Sequence, residues 1–259
     1  MVSRGDRFPT LQGVAGALTP ATLSRGDVLA LLRDGTVEEG QLHPQGSNST
    51  FVVRLRKGEC CCLAVYKPRE GETPLWDFPQ GTLYRREVAS YLLCEALGWG
   101  FVPPTIVRDG PAGEGSMQLY IHHDPARHYF VTRETHLDAY RRIATFDFLA
   151  NNADRKGGHC LHGRDGNIWG IDHGLTFNVN LKLRTVIWDF AEQRIPDQLI
   201  EDVRRVLGQL QGGNGATAGL EGLLQPAEIG SLRKRLEHLV EHPYYPPPFT
   251  SRSLPWPRI

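Results

Sequence analysis

The chain has 259 residues, with 29 Lys plus Arg against 29 Asp plus Glu and so no formal net charge. That balance excludes wholesale electrostatic binding to nucleic acid or an anionic membrane, though it leaves room for a local basic patch. With 40% apolar and 22% charged residues the composition is that of a folded protein. No run of about 18 apolar residues occurs, so no stable membrane insertion is expected. The stretch from Met1 to Asp6 lacks an apolar signal core, which predicts a cytoplasmic protein. The five cysteines include the consecutive Cys60, Cys61 and Cys62 and follow no framework spacing, which predicts reduced thiols.

In chain order, residues 1–23 read as an irregular lead-in. Ser24 caps a short helix carrying Val28, Leu29, Leu31 and Leu32, stopped at Asp34-Gly35. Three strands are predicted at 36–43, 50–56 and 60–67, and the third is apolar nearly throughout, the mark of a central strand. A loop over 68–82 precedes a helix at 83–97 with Tyr84, Val88, Tyr91 and Leu92 on its apolar face and Gly98 as its stop. Strands are expected between Pro103-Pro104 and the glycine-rich 110–115, and again at 116–121. Asp124-Pro125 marks the lobe boundary, giving an N-terminal lobe of 1–122 and a helical C-terminal lobe of 123–259. In the latter, Leu137, Tyr140, Ala144 and Phe148 on one face, with Ile143, Phe146 and Leu149 on another, predict a helix buried on most sides. A hairpin follows, 159–163 with 167–171 across Arg164-Asp165-Gly166. Helices at 197–211 and 226–241 flank a glycine-rich linker at 212–222, and the proline-rich 243–248 is extended.

Four features fall in an order that suits phosphoryl transfer. Gly46-Ser47-Asn48-Ser49 lies between two strands, where small residues let backbone N–H groups and hydroxyls approach a phosphate; alone it is an ordinary hairpin turn. Lys67 ends the third strand and needs an exit to water or an anionic partner. Glu87, on the next helix, can hold such a lysine, although Arg85, Arg86 and Glu95 nearby also fit a solvated charged face. Asn152-Ala153-Asp154-Arg155 follows the buried helix and Ile171-Asp172-His173-Gly174 follows the hairpin. Asp154 there is placed to act as a base, and Asp172 to hold a divalent cation on triphosphate oxygens. Each aspartate alone is equally an Asx-turn or cap residue. The ordered set is what points to ATP.

Val65-Tyr66-Lys67-Pro68, Asn152-Ala153-Asp154-Arg155 and Ile171-Asp172-His173-Gly174-Leu175 resemble the atypical kinases of the phosphatidylinositol 3-/4-kinase and HipA-like type. The resemblance extends over about 25–245 to a group of small bacterial, chiefly actinobacterial, phosphatidylinositol-kinase-related proteins. It implies an α+β, two-lobed protein-kinase-like fold with a β-rich N-lobe, a helical C-lobe and ATP bound between them. By motif match it implies that Lys67 contacts phosphate and Glu87 pairs with it. It likewise makes Asp154, with Arg155, the catalytic pair and Asp172 a metal ligand. The hinge against adenine would be Gln118-Leu119-Tyr120-Ile121, with Ile171 also at the nucleotide.

One position departs from that pattern. Five residues after the aspartate base, where such kinases carry a metal-binding asparagine, stands His159. Imidazole suits manganese and other transition ions better than magnesium. His159 therefore binds metal or phosphate, or the second metal is lost, and the cation is Mg or Mn with Mn expected to serve at least as well. His159, Cys160 and His162 do not have the spacing of a structural zinc site, and the cysteine run reads as buried small residues. His122-His123-Asp124 reads as a polar hinge ahead of a base with its orienter. The expected function is an ATP-dependent phosphotransferase whose hydroxyl acceptor is a small metabolite, an inositol-type headgroup or protein Ser/Thr. Lys182 and Arg184, within a 178–190 acceptor wall, are available to an anionic acceptor or to solvent. The alternative is a nucleotide-binding pseudokinase acting as a regulatory module. Nucleic-acid binding has no supporting motif.

Overall fold

Ser24 opens the first helix with a capping box. Its hydroxyl accepts from the Asp27 amide and the Asp27 carboxylate accepts from the Ser24 amide, both at 3.2 Å. Helix α1 (Arg25–Asp34) then turns Val28, Leu31 and Leu32 inward. The computed structural model describes residues 23–42, 48–213, 215–249 and 253–259. Its chain divides into two compact units. One comprises the described residues up to Val88 with Pro103–Ile121, the other Ala89–Val102 with the described residues from His122 onward.

The first unit is built on a five-stranded antiparallel sheet in the order β1-β2-β3-β5-β4. Its strands are β1 (Thr36–Leu42), β2 (Phe51–Lys57), β3 (Cys60–Pro68), β4 (Thr105–Gly110) and β5 (Gly113–Leu119). The run that is apolar nearly throughout, β3, is indeed central. Register pairs Phe51 with Tyr66, Val53 with Ala64 and Leu55 with Cys62, and on the other side Tyr66 with Met117 and Ala64 with Leu119. These rows make one apolar face, packed with Val28, Leu31 and Leu32 of α1, each such side chain contributing about 1.5–3 kcal/mol on full burial. Side chains alternate along a strand, so Lys67, next to Tyr66, lies on the reverse face. Cys61 and Cys62 are buried, all five cysteines are free, and burial pushes the Cys62 thiol up to about 12.

The glycine-rich 110–115 is not all loop. The turn spans Gly110 to Gly113, whose φ of 90° suits glycine, and β5 already includes Gly115. That glycine is there for space, since a Cβ on it would lie 2.4 Å from the Lys67 carbonyl oxygen and 2.7 Å from Pro68 Cα.

Helix α2 (Leu83–Leu97) begins in the first unit and ends at Gly98, φ 74°. Within the second unit its last carbonyls, Ala96 and Leu97, accept from the Arg205 guanidinium at 2.6 and 3.0 Å. There follow α3 (Tyr129–Thr132), α4 (Leu137–Ala150), a hairpin of β6 (Cys160–His162) and β7 (Ile168–Gly170), then α5 (Asp197–Gly212) and α6 (Pro226–Glu241). Helix α4 is buried along most of its length, though its first residue, Leu137, is exposed. The glycine-rich linker contains a 3₁₀ stretch, Gly215–Leu220, anchored by the buried Leu220. Tyr245 is buried, and beyond it the Ser253 carbonyl accepts from the Thr185 amide at 3.1 Å and the Trp188 indole at 3.2 Å. Among the described residues no helix is long and apolar enough to cross a membrane.

Replacing Gly115 with Ala should lower stability by about 3 kcal/mol, because the new methyl meets backbone that cannot move without opening the β3–β5 ladder. Gly58→Ala, which meets nothing within 4 Å but has φ 60°, should cost only about 1 kcal/mol. Urea midpoints of the two variants against the parent check the order.

Candidate active site

In the first unit the alternation along β3 brings Lys67 to Glu87 of α2. The Lys67 ammonium donates to the Glu87 carboxylate, with the lysine side chain 22% exposed and the glutamate 3%. A carboxylate so buried is tolerable because a cation is on it. Ahead of the helix, the loop over 71–73 is tied to the chain before β2. Ser49 N–H donates to the Gly71 carbonyl (2.9 Å) and Thr73 N–H to Asn48 Oδ1 (2.7 Å). Gly46 and Ser47, read from the sequence as phosphate-approaching residues, lie outside the described residues.

The expected hinge is partly inside the sheet. Gln118 and Leu119 end β5, and Gln118 donates to the Thr105 hydroxyl at 2.9 Å. The Leu119 amide is taken by the Pro104 carbonyl (2.9 Å) and the Tyr120 amide by the Leu63 carbonyl (3.0 Å). A base meeting this stretch would therefore have to use carbonyl oxygens, side chains or the Ile121 amide.

In the second unit α4 ends at Asn151, a left-handed residue with φ 53°. Its buried side chain donates to the carbonyls of Asn178 (2.9 Å) and Asn180 (2.7 Å) and accepts from the Lys182 amide (2.8 Å). One residue thus pins the start of the 178–190 segment. That segment continues alongside the loop after α4, with Arg184 N–H donating to the Asn152 carbonyl and Arg155 N–H to the Arg184 carbonyl, both at 2.9 Å. Arg184 is exposed and Lys182 half-buried.

Asp154 follows an Asx turn, its amide donating to Asn152 Oδ1 at 3.0 Å. Its carboxylate lies 3.2 Å from Lys156 Nζ. Burial raises the Asp154 pKa, Lys156 and Arg155 oppose the rise, and the negative charge of Asp172 adds to it. Asp172 itself has φ 59°, a conformation that costs a non-glycine residue on the order of 1–3 kcal/mol. Its Oδ2 is 3.3 Å from His159 Nε2. Two donors at that separation match neighbouring corners of a shell whose ligands stand about 2.1 Å from one ion. Among the described residues no group of three His, Cys, Asp or Glu side chains gathers for a metal, so an ion here would draw its remaining ligands from phosphate and water.

Arg155, grouped with Asp154 by the sequence motif, has no exposure. Its guanidinium is spent on Asp147 of α4 (2.9–3.1 Å), the Ile171 carbonyl (2.8 Å) and His173 Nε2 (2.7 Å). Arg155 therefore touches the loops of the site and not a reactant. Ile171 is held on both sides, its amide donating to the His159 carbonyl at 3.0 Å. Cys160 is fully buried, its thiol pushed up to about 12 by burial, and the His162 ring packs on His136, so the His159-Cys160-His162 run gathers no zinc shell. The His122 carbonyl accepts from the Arg164 amide (3.0 Å) and His123 bridges to Gly163, extending the hairpin.

Three contributors escape the sequence reading: Lys156, Asp147 and His173. Lys156 had a signal, since it is one alternation on from Asp154 in an extended loop. So had Asp147, a carboxylate between Phe146 and Phe148 on a helix with apolar residues all round.

No family model matches the sequence. The chain is 41% identical over 268 residues to Protein Rv2133c of Mycobacterium tuberculosis, covering 90% of this chain and 96% of that protein. It is 29% identical over 196 residues to phosphatidylinositol 4-kinase gamma 4 of Oryza sativa subsp. japonica. That match covers 61% of this chain and 34% of the rice protein, so the chain spans about a third of that relative. Among solved structures it is similar to hydra Fam20 with sugar (TM-score 0.54, 15% identity, 83% of this chain and 88% of that one). It is similar as well to the Helicobacter pylori proinflammatory kinase CtkA (TM-score 0.50, 9% identity, 83% and 94%). The fold is kinase-like, with an antiparallel sheet in one unit and a mainly helical second unit.

Replacing Asn151 with Gly keeps the left-handed backbone and deletes three hydrogen bonds, whereas Ala also strains it. Stability should fall by about 2–3 kcal/mol for Gly and about 1 kcal/mol more for Ala. Hydrogen exchange should quicken at the Lys182 amide in both, measured by mass spectrometry on peptides spanning 176–186.

Proposed function

We propose that this chain, which belongs to the family of Protein Rv2133c, is an ATP-dependent phosphotransferase acting on a hydroxyl acceptor. The observation that carries this reading is the grouping of Asp154, Lys156, His159 and Asp172 on two loops of the second unit. The kinase-like fold supports it, as does the Lys67–Glu87 ion pair in the first unit. In this reading Lys67, held by Glu87, meets the nucleotide phosphates, and Gly46, Ser47, Asn48 and Ser49 approach them through small side chains and backbone. The adenine is assigned to Gln118, Leu119, Tyr120, Ile121 and Ile171.

The acceptor oxygen bonds to the γ-phosphorus as the bond from that phosphorus to the β,γ-bridging oxygen breaks, ADP leaves, and the hydroxyl proton passes to the Asp154 carboxylate. Lys156, beside Asp154, favours the ionised carboxylate against the effect of burial. A divalent cation, Mg or Mn, held by Asp172 and His159 would offset phosphate charge and align the nucleotide when bound. The acceptor is a small metabolite, an inositol-type headgroup or a protein Ser/Thr. The similarity to the rice phosphatidylinositol 4-kinase supports the inositol-type headgroup and a relation to that kinase family, while the balanced charge supports a soluble acceptor.

A second reading, a nucleotide-binding regulatory module without turnover, is favoured by one contact. The Lys156 amide is directed at His159 Nδ1 at 3.4 Å. That leaves the ring proton of a neutral imidazole on Nε2, facing Asp172, where it can hold the carboxylate in place of an ion.

Labelled ATP with Mn²⁺ or Mg²⁺ should give ADP and a transferred or hydrolysed phosphate, with Mn²⁺ at least as effective. Asp154→Asn should lower turnover by about 10²–10⁴-fold while leaving nucleotide binding intact, and Asp172→Asn should remove the metal dependence of binding. Nucleotide binding without turnover in either metal would select the second reading, and clear Mg²⁺ superiority would defeat the proposed role of His159.

The pH profile tests Asp154 separately. The base must be ionised, so kcat/KM should fall as pH drops through a value raised above that of an ordinary aspartate. The charged groups acting on it are Lys156, Arg155 and Asp172. Lys156→Met removes a lowering influence and should move the acid limb to higher pH, whereas Lys156→Arg should leave it in place.

A further inference from the structure

We propose that Asp147, Arg155 and His173 are positioning residues that lock the loop carrying Asp154 to the loop carrying Asp172, so that metal affinity at Asp172 depends on a guanidinium 17 residues away in sequence. The proposal rests on the reading of Asp154 as base and Asp172 as metal ligand, and adds to it what holds the two in register.

The geometry is specific. Arg155 directly follows Asp154 in the chain, and its planar fork reaches both neighbours of Asp172. Nη1 donates to the carbonyl of Ile171 at 2.8 Å and Nη2 to the ring of His173 at 2.7 Å. Because arginine is always a donor, His173 Nε2 must be the acceptor. The far side of the fork is fixed by Asp147, whose carboxylate accepts from Arg155 Nε and Nη2, from Asn152 Nδ2 at 3.0 Å and from the Thr185 hydroxyl at 3.4 Å. All of Asp147, Arg155 and His173 have 0% exposure. Asp172, between the two gripped neighbours, is the residue with φ 59°. A strained backbone persists only where its surroundings over-determine it, and the grip on residues 171 and 173 supplies that. Lysine, a point charge with no fork, cannot hold a carboxylate, a carbonyl and an imidazole in one plane.

The test uses the full chain with Arg155→Lys and, as a milder second variant, His173→Asn, with Leu232→Ala on α6 as a control that destabilises the second unit elsewhere. Two quantities are read. One is the Mn²⁺ concentration needed for half-maximal binding of a fluorescent ADP analogue. The other is hydrogen exchange at residues 152–156 and 170–174 without nucleotide or metal. Arg155→Lys should raise the Mn²⁺ requirement at least tenfold and His173→Asn by a smaller factor, with both loops exchanging faster together. Leu232→Ala should change neither, even at an equal loss in urea midpoint. Unchanged exchange in both loops in His173→Asn, or a Mn²⁺ requirement moved as far by Leu232→Ala as by Arg155→Lys, overturns the lock. If the parent protein binds no nucleotide with metal but the two loops still loosen together, the lock stands and the phosphotransferase reading falls.

Discussion

Asp147 and Arg155 bury opposite charges with no exposure on either side. Removing one partner of such a pair costs about 3–5 kcal/mol, because the other is left charged in a medium that solvates it poorly, whereas exchanging both for apolar residues is often neutral. The pair is therefore a poor device for stability and a good one for geometry. By contrast Lys57–Asp34 at 2.7 Å and Arg56–Glu38 at 2.6 Å are short but exposed, and water screens such pairs until they contribute little. What the buried pair fixes is the orientation of a planar fork, and through it the conformation of Ile171, Asp172 and His173.

The first unit solves a similar problem with a strand. Lys67 comes to Glu87 because β3 alternates, and the face that holds Tyr66, Ala64 and Cys62 is already committed to α1. Shifting the register by one residue would drive the ammonium into that apolar layer, so the position of Lys67 is enforced by the whole row. Gly115 belongs to the same constraint, since the carbonyl it must clear is that of Lys67. The glutamate is the more buried member, and the lysine keeps some access to water. A cation so placed has its site-side geometry set without being locked away from a polyanion.

The sequence made the periodic parts legible. Ser24, the apolar rows of β2 and β3, the helix stopped by Gly98 and the helices near 197 and 226 all follow from local rules of capping and alternation. Asp154 and Asp172 stood out as candidates through their order and spacing, and the structure brings their charges within reach of each other. Arg155 was misplaced among reacting groups because its partners are Asp147, eight residues back, and His173, 18 residues on, and no periodicity links such positions. That the amides of Leu119 and Tyr120 are already occupied was hidden for the same reason, since the carbonyls of Pro104 and Leu63 that take them come from other segments. Gly115 looked like a loop residue because a glycine required by close approach is indistinguishable in sequence from one required by a turn. Asp147 was readable in principle, as a carboxylate flanked by Phe146 and Phe148 must find a cation.

His159 decides how the second unit's charges are used. The negative charge of Asp172 raises the cost of ionising Asp154, and the charge of the two carboxylates can be relieved in two ways. Lys156 relieves it at Asp154, permanently and without a ligand. At Asp172 the relief comes either from an ion or from the His159 ring itself, and the ring cannot present a proton and a lone pair at Nε2 at the same time. An asparagine at this position would offer an oxygen without competing for the carboxylate. A histidine makes ion binding an exchange, in which the ring must give up its contact with Asp172 before both donors can face the metal. In the proposed reading, the choice between a chain that turns nucleotide over and one that only holds it thus comes down to the proton on a single imidazole nitrogen. The locked φ of Asp172 is what keeps that nitrogen and the carboxylate close enough for the exchange to matter.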